Sequence, residues 1–547
     1  MNIRTCLQTA FLPLMLAALI AAPLTFAQDK PDGKKDGEAK SSSMPAPAPD
    51  SETAGSVTIG GQAIAYRAVA GTLTVGSNDV QDATIGLDGK YLPEAGVDLP
   101  SKPDEQPATA RIFYAAYFKK GVPSGSRPIT FLYNGGPGSA TMYLHMGAFG
   151  PKRVAIPDVE HPLAAPYPLI ENQYSLLDAS DLVFIDAPGT GFSRVYGKDA
   201  GKAFWGTDED AHAFDRFIRR FLTKFDRWNS PKYIFGESYG TTRSAVLSRM
   251  LQGVDLNGVI LLSQILSFDD SADGPEGNPG TDQPYYLSLP SMAATAWYHH
   301  RLANQTAELE PLLREVEQFS LGEYATALLQ GSSLSEDRKH ALADKLQGYT
   351  GLSAAYWLKA NLRVGGGEFS KELQSSSGIT TGRLDTRYAG PDMDPLSKDA
   401  DYDPFGASTT PAFVAAINQY ARDDLKYGEN MTYKPSARQA GYHWNMAHVP
   451  PGGQGWESSV NVMPDLASAM KHNPKMKVML MGGYFDLGCT YFGATYEMKH
   501  LPIPQNLEDN ISYHFFQTGH MVYVNEAALK ELHDYTAAFI KNTQVVH

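Results

Sequence analysis

Dense apolar runs alternate with amphipathic stretches along most of this chain. Ile129–Tyr133 and Leu182–Ile185 are almost wholly apolar, the pattern of strands buried on both faces of a parallel sheet. Val259–Leu262, Lys477–Met481 and Ile511–Phe516 predict further strands. Upstream, Gly60-Gly61-Gln62 reads as a hairpin turn, with alternation over Ile64–Val69 and another strand over Arg111–Phe118. Between Asp210 and Trp228, the residues Phe214, Phe217, Ile218, Phe221, Leu222 and Phe225 recur at helical spacing. A strand through Tyr233, Ile234 and Phe235 turns sharply into a helix carrying Ala245, Val246, Leu247, Met250 and Leu251, with Gly253 as its cap. A last helix is expected over about 525–540. Strands alternating with helices predict an α/β protein with a doubly wound, mostly parallel sheet. The rhythm breaks near Ser267, turns helix-rich from Asp269 to about Pro450, and resumes at Lys477. The middle reads as an insertion laid as a cap over the active end of the sheet.

The N-terminus changes the picture. Arg4 is the only charge before Asp29, an apolar run spans Ala10 to Ala22, and Leu24-Thr25-Phe26-Ala27 ends in a small residue. Residues 1–27 thus read as a secretory signal, Pro13 and Pro23 favouring cleavage over an uncleaved anchor. A secreted or periplasmic protein is expected, with no membrane contact once the signal is gone. Residues 28–53 are rich in Lys, Asp, Pro and Ser and are expected to be a disordered tether. The remaining segments are a first core part, 54–268, the insertion, 269–450, and a second core part, 451–547. A net charge of −14 argues against nucleic acid and anionic membrane surfaces as partners. Of the two cysteines, Cys6 lies in the signal, so Cys489 remains alone, without an internal disulfide and expected as a packed small thiol.

The chemistry centres on Gly236-Glu237-Ser238-Tyr239-Gly240, a G-x-S-x-G pattern set between strand and helix. That context is a nucleophile elbow, which leaves the serine hydroxyl exposed at the end of a sheet. A serine needs a base to take its proton and a third group to hold the base. In an α/β-hydrolase these follow as Asp or Glu and then His, each after a strand. Asp486 follows the strand ending at Met481, and His520 follows the one ending at Phe516. His514 lies inside its strand and His533 on a helix, so neither competes. Oxyanion donors are expected from the N–H of Tyr239 and from the loop Asn134-Gly135-Gly136-Pro137-Gly138, with Gly136 as the donor. That loop lacks the patterns of nucleotide-binding glycine loops. His299-His300 lacks metal-ligand spacing, and neither a metal nor a cofactor is expected. Thr381–Arg387 could bring Arg383 or Arg387 toward the site, although a solvated loop is the simpler expectation.

Asn134–Ser139, Asp186-Ala187-Pro188-Gly189-Thr190-Gly191-Phe192-Ser193, Gly236–Gly240 and Gly519-His520-Met521 together resemble the serine carboxypeptidases, peptidase family S10. The resemblance covers roughly 110–265 and 475–547, and leaves 269–450 unassigned. It implies a serine exopeptidase acting on peptides, with Ser238, Asp486 and His520 as the triad. It also implies that Asn134 and Glu237 bind the substrate's C-terminal carboxylate. Two carboxylates approach closely only when they share a proton, so Glu237 is expected to be protonated in the complex. Recognition should then weaken as pH rises, while a protonated His520 limits the acid side, giving a mildly acidic optimum. The chain departs from the family at Ser139 and Ala140, where cysteine is common, at Ala187, and at Gly240-Thr241. These departures point to a divergent, disulfide-free, bacterial branch. An esterase or acyltransferase on the same triad is the alternative, with another acyl compound as substrate.

Overall fold

The computed structural model describes residues 48–437, 443–453 and 460–544. The expected signal, and the expected tether as far as residue 47, lie outside the described residues. Ser51–Ile59 (β1) pairs antiparallel with Gln62–Gly76 (β2) around the turn at Gly60 and Gly61. The sheet thus begins inside the last residues of the expected tether, with Thr53 opposite Ala68. Polar Ser51–Thr53 can join because an edge strand needs only backbone partners and one covered face. Thr109–Lys119 (β3) extends the hairpin. The sheet continues with Ile129–Tyr133 (β4), Asp181–Ile185 (β5), Arg194–Tyr196 (β6), Lys232–Glu237 (β7), Gly258–Leu262 (β8), Lys477–Gly483 (β9) and Ile511–Phe516 (β10). Their spatial order is β1-β2-β3-β5-β4-β7-β8-β9-β10, with β6 beside β3. From β5 to β10 every neighbouring pair is parallel.

Alternate side chains of these strands face opposite layers. Phe131 and Tyr133 join Ile234, Val259 and Leu261 on one face. Leu132 joins Tyr233, Phe235 and Ile260 on the other. Thr207–Lys224 (α1) covers the first face with Phe214, Phe217 and Phe221, and Tyr239–Met250 (α2) adds Val246 and Leu247. Burying each such aromatic or aliphatic side chain contributes about 1.5–3 kcal/mol, which is what holds the helices to the sheet.

The insertion divides into two parts. Gln283–Tyr298 (α3), Leu309–Phe319 (α4) and Glu336–Thr350 (α5) build a core from Met292, Val316, Leu342 and Leu346, which Trp357 of the short helix Ala354–Lys359 joins. Pro404–Asp423 (α6) instead packs Phe413 and Ile417 into the second face of the sheet. Glu526–Thr543 (α7) shares that face through Leu529, Leu532 and Ile540. This mostly parallel sheet with helices on both faces is an α/β-hydrolase fold carrying a helix-rich insertion. Among the described residues no helix is long and apolar enough to cross a membrane.

Register decides where the chemistry sits. Tyr133 lies opposite Gly236, Glu237 opposite Leu262, and Gly483 opposite Phe516. The chain therefore leaves β4, β7, β8, β9 and β10 at the same carboxyl edge, where doubly wound sheets bind their ligands.

Candidate active site

The turn after β7 is sharp enough to place Ser238 at φ 61° and ψ −132° before α2 begins. A non-glycine residue in such backbone costs on the order of 1–3 kcal/mol and persists only where its surroundings hold it. Here the Ser238 N–H donates to the Leu262 carbonyl at 2.9 Å, and the Ser238 carbonyl accepts from Thr241 N–H at 2.8 Å. Glycine is required on the inside of the bend: a methyl group at Gly236 would stand 2.2 Å from the Gly240 carbonyl oxygen. The loop after β4 closes against the elbow for the same reason. A methyl group at Gly135 would stand 2.4 Å from the Tyr239 nitrogen.

That loop is held from beneath. Arg243 of α2 is fully buried, pairs with buried Asp210 of α1, and donates to the Asn134 carbonyl at 2.9 Å. Its guanidinium lies over the rings of Phe214 and Tyr133, 4.3 and 5.1 Å from their centres. Asn134 accepts the Leu144 N–H at 3.0 Å through Oδ1. Its amide hydrogens are thereby directed to its other partners, Glu237 and Tyr523. Glu237 is buried beneath the elbow, and the Tyr523 hydroxyl donates to both of its oxygens, at 3.0 and 2.9 Å. Burial dominates its titration and pushes the carboxyl up to about 7, against the pull of His520, Tyr523 and Asn134.

The loops after β9 and β10 bring Asp486 and His520 together. Nδ1 of His520 lies 2.6 Å from Oδ2 of Asp486. The other Asp486 oxygen accepts the N–H groups of Gly488 and Cys489 at 2.8 and 3.0 Å. Burial works against a charged His520, but the Asp486 carboxylate outweighs it and the imidazole titrates well above its ordinary value. Cys489 is buried, as expected, but against the histidine: its sulfur and the ligand atoms of Asp486 and His520 lie within 4.8 Å of one another. These are the only metal-capable side chains so grouped among the described residues. An ion there would compete with the Asp486–His520 hydrogen bond. His299 spends Nε2 on the Thr386 carbonyl at 2.6 Å.

Ser238, His520, Asn134, Gly136, Glu237 and Tyr239 all line one cleft of about 610 Å³. Asp486 stands behind His520, fully buried. The sequence pattern missed two contributors and misjudged the setting of a third. Tyr523 and Arg243 gave no signal, because each acts through a partner far away in the chain. Arg383 belongs to the segment expected as a solvated loop, and the structure corrects that expectation. The Leu384 carbonyl accepts the His520 N–H at 2.7 Å, and the Arg383 carbonyl accepts the Leu487 N–H at 3.0 Å. Asp385, ion-paired with Arg387, accepts the Gly519 N–H at 3.2 Å. The segment is buried because it satisfies the backbone groups of both loops.

Comparison with known proteins follows the same lines. Residues 103–254 match the serine carboxypeptidase family. A carboxypeptidase Y homolog from Arthroderma benhamiae is 30% identical over 135 residues. That stretch covers 24% of this chain and 24% of the relative, so the match spans about a quarter of the relative's length. Among solved structures, a prohormone-processing carboxypeptidase from Saccharomyces cerevisiae aligns with a TM-score of 0.45 and 13% identity, over 88% of this chain and 92% of its own. A proline iminopeptidase from Mycobacterium smegmatis aligns with a TM-score of 0.34 and 12% identity, over 79% and 95%. The likeness to the serine carboxypeptidase family therefore rests on residues 103–254, the stretch that contains the elbow and the glycine loop after β4.

Proposed function

We propose that this protein is an exported serine carboxypeptidase that removes residues one at a time from the C-terminus of peptides. The observation that carries the reading is the composition of the cleft. An elbow serine shares it with a histidine backed by a buried aspartate, and with a buried carboxyl poised near neutrality.

Ser238 Oγ attacks the last peptide carbonyl carbon as His520 takes its proton. The N–H groups of Gly136 and Tyr239 stabilise the oxyanion. Collapse breaks the C–N bond, and His520 returns the proton to the departing amine, leaving an acyl-serine. Water then attacks the ester, giving its proton to His520 and releasing the shortened peptide as Ser238 is reprotonated. Asp486 holds the imidazole and stabilises its charged form. Asn134 and protonated Glu237 bind the free carboxylate of the terminal residue, which restricts cleavage to the chain end. Burial supports this role, because a carboxyl pushed up to about 7 donates a hydrogen bond below that pH and repels an anion above it.

The test is a digest of a blocked dipeptide, acyl-Phe-Leu, beside its C-terminal amide, at about pH 5 and about pH 7.5. Leucine release from the acid alone is expected. No release from either, with a fluorophosphonate still labelling Ser238, would turn the reading toward esters.

A further inference from the structure

The proposed carboxylate end of the cleft is built from Asn134, Glu237, Tyr143 and Tyr523. The wall beside the Asp486 loop has a different character. Arg383 is the only Lys or Arg lining the cleft among the described residues. It reaches there because Gly488 has no side chain: Nη1 lies 3.2 Å from the place a Gly488 Cβ would take. Nε donates to Oδ1 of Asp273 at 2.7 Å, and Nη2 donates to Oδ2. A guanidinium has five donors, so most of its hydrogen-bonding capacity lies outside this pair. Both side chains are about two-fifths exposed, at 41% and 45%, and so open an ion pair is weak and exchangeable.

The backbone beneath this exchangeable head is fixed. The Arg383 N–H donates to half-buried Asp403 at 3.1 Å, its carbonyl accepts from Leu487, and the next carbonyl accepts from His520. The cation is thus tied by short covalent and hydrogen-bonded paths to both loops of the Asp–His pair. A rigid stem with a displaceable counter-ion is what a preorganised anion receptor requires.

We propose that Arg383 is a specificity-determining residue that takes a carboxylate of the substrate, exchanging Asp273 for it. The choice of peptides as substrates rests on the exopeptidase reading above. The carboxylate has two possible sources: an acidic side chain beside the scissile bond, or the peptide's own C-terminus.

Two ratios of kcat/KM separate these sources in the full chain. One compares blocked Glu-Leu with blocked Gln-Leu, and the other compares blocked Phe-Leu with its amide. The unsubstituted enzyme is expected to favour Glu over Gln by about tenfold or more. Arg383→Met should bring that ratio to about one, and Asp273→Asn should raise it about threefold by removing the competing carboxylate. Collapse of the acid-over-amide ratio instead, with Glu and Gln treated alike, upholds the receptor and assigns it the chain end. If Arg383→Met moves neither ratio, the proposal is overturned. Each readout is a ratio within one protein sample, so a misfolded fraction cancels, and damage does not produce the rise expected for Asp273→Asn. If the unsubstituted enzyme releases leucine from none of these dipeptides, the exopeptidase reading fails by itself. The Glu-to-Gln ratio is then read on blocked amino-acid ethyl esters, where its loss or constancy in Arg383→Met still decides the role of Arg383.

Discussion

Two buried histidine–aspartate assemblies stand in different parts of this molecule. In the cleft, His520 gives Nδ1 to Asp486 at 2.6 Å and lines the same space as Ser238. Behind α2, His448 lies between two carboxylates, with Nδ1 2.6 Å from Asp208 and Nε2 2.8 Å from Asp465. Asp465 also pairs with Arg249, and Asp208 also accepts the Val449 N–H at 3.0 Å. Two carboxylate partners require both ring nitrogens to donate, which only imidazolium does. Burial opposes that charge, but the aspartates outweigh it and push His448 up to about 9. A ring so occupied is a cationic clamp. His520 commits one nitrogen to a carboxylate and turns the ring to a cleft, which is what a general base needs. Contact between histidine and aspartate is therefore not the signature of catalysis; an edge left to the substrate is.

The sharpest way to break this comparison is to change the aspartates. Asp486→Asn is expected to lower kcat about ten-thousand-fold with KM little altered, because an amide holds the imidazole in the wrong tautomer. Asp465→Asn should keep kcat within about tenfold and lower the melting temperature instead, since it leaves a buried cation short of a partner. Steady-state kinetics and thermal melts of the two variants read both effects. An equal kinetic loss in both would erase the distinction.

What the sequence showed and hid follows the range of each signal. The elbow was legible because Gly236 and Gly240 are steric requirements of the bend at Ser238, sitting between the apolar strand residues Tyr233, Ile234 and Phe235 and a helical period. Asp486 and His520 were named because parallel strands send their following loops to one edge. The Asp208–His448 contact spans 240 positions, and neither residue follows a strand. Tyr523 sits beyond the histidine motif with nothing to mark its partner, Glu237, as 286 positions away. Arg383 was noticed but expected in solvent, because polar residues between helices look alike whether their backbone is wet or is bound to another loop.

Glu237 sharpens the comparison, as a buried acid whose partners are a phenol and an amide. Glu237→Gln is expected to reduce kcat/KM for blocked dipeptide acids by about 10- to 100-fold, with simple ester hydrolysis less affected. The decline above about pH 7 should vanish with the titrating group. Tyr523→Phe probes the same group more gently. The hydroxyl donates to the carboxylate and so holds its pKa down. Without it Glu237 keeps its proton to higher pH, and the alkaline limb of the dipeptide profile should move up by about half a unit to one unit. A limb that stays put or moves down would remove Tyr523 from the site's electrostatics.

The smallest expected effect tests the clamp itself. His448 carries its proton in both folded and unfolded chains well below the ordinary histidine value near 6.5, and in the folded chain alone up to about 9. Its contribution to stability is therefore complete in mild acid and is lost as pH rises through about 9. Melting temperatures should fall between about pH 7 and about pH 10, and His448→Gln should flatten that fall while lowering the value at neutrality by on the order of 2 °C. The clamp also bears on the cleft. Residues near His448 in the chain set Trp444 edge-on against Tyr239, with ring centres 5.1 Å apart, and pair Asn445 with Thr207 at the start of α1. Loosening at alkaline pH would thus reach the residue next to Ser238. If the melting temperature declines with the same slope in His448→Gln as in the unsubstituted protein, the titrating proton belongs elsewhere, and His448 would have to be regarded as a neutral packing residue.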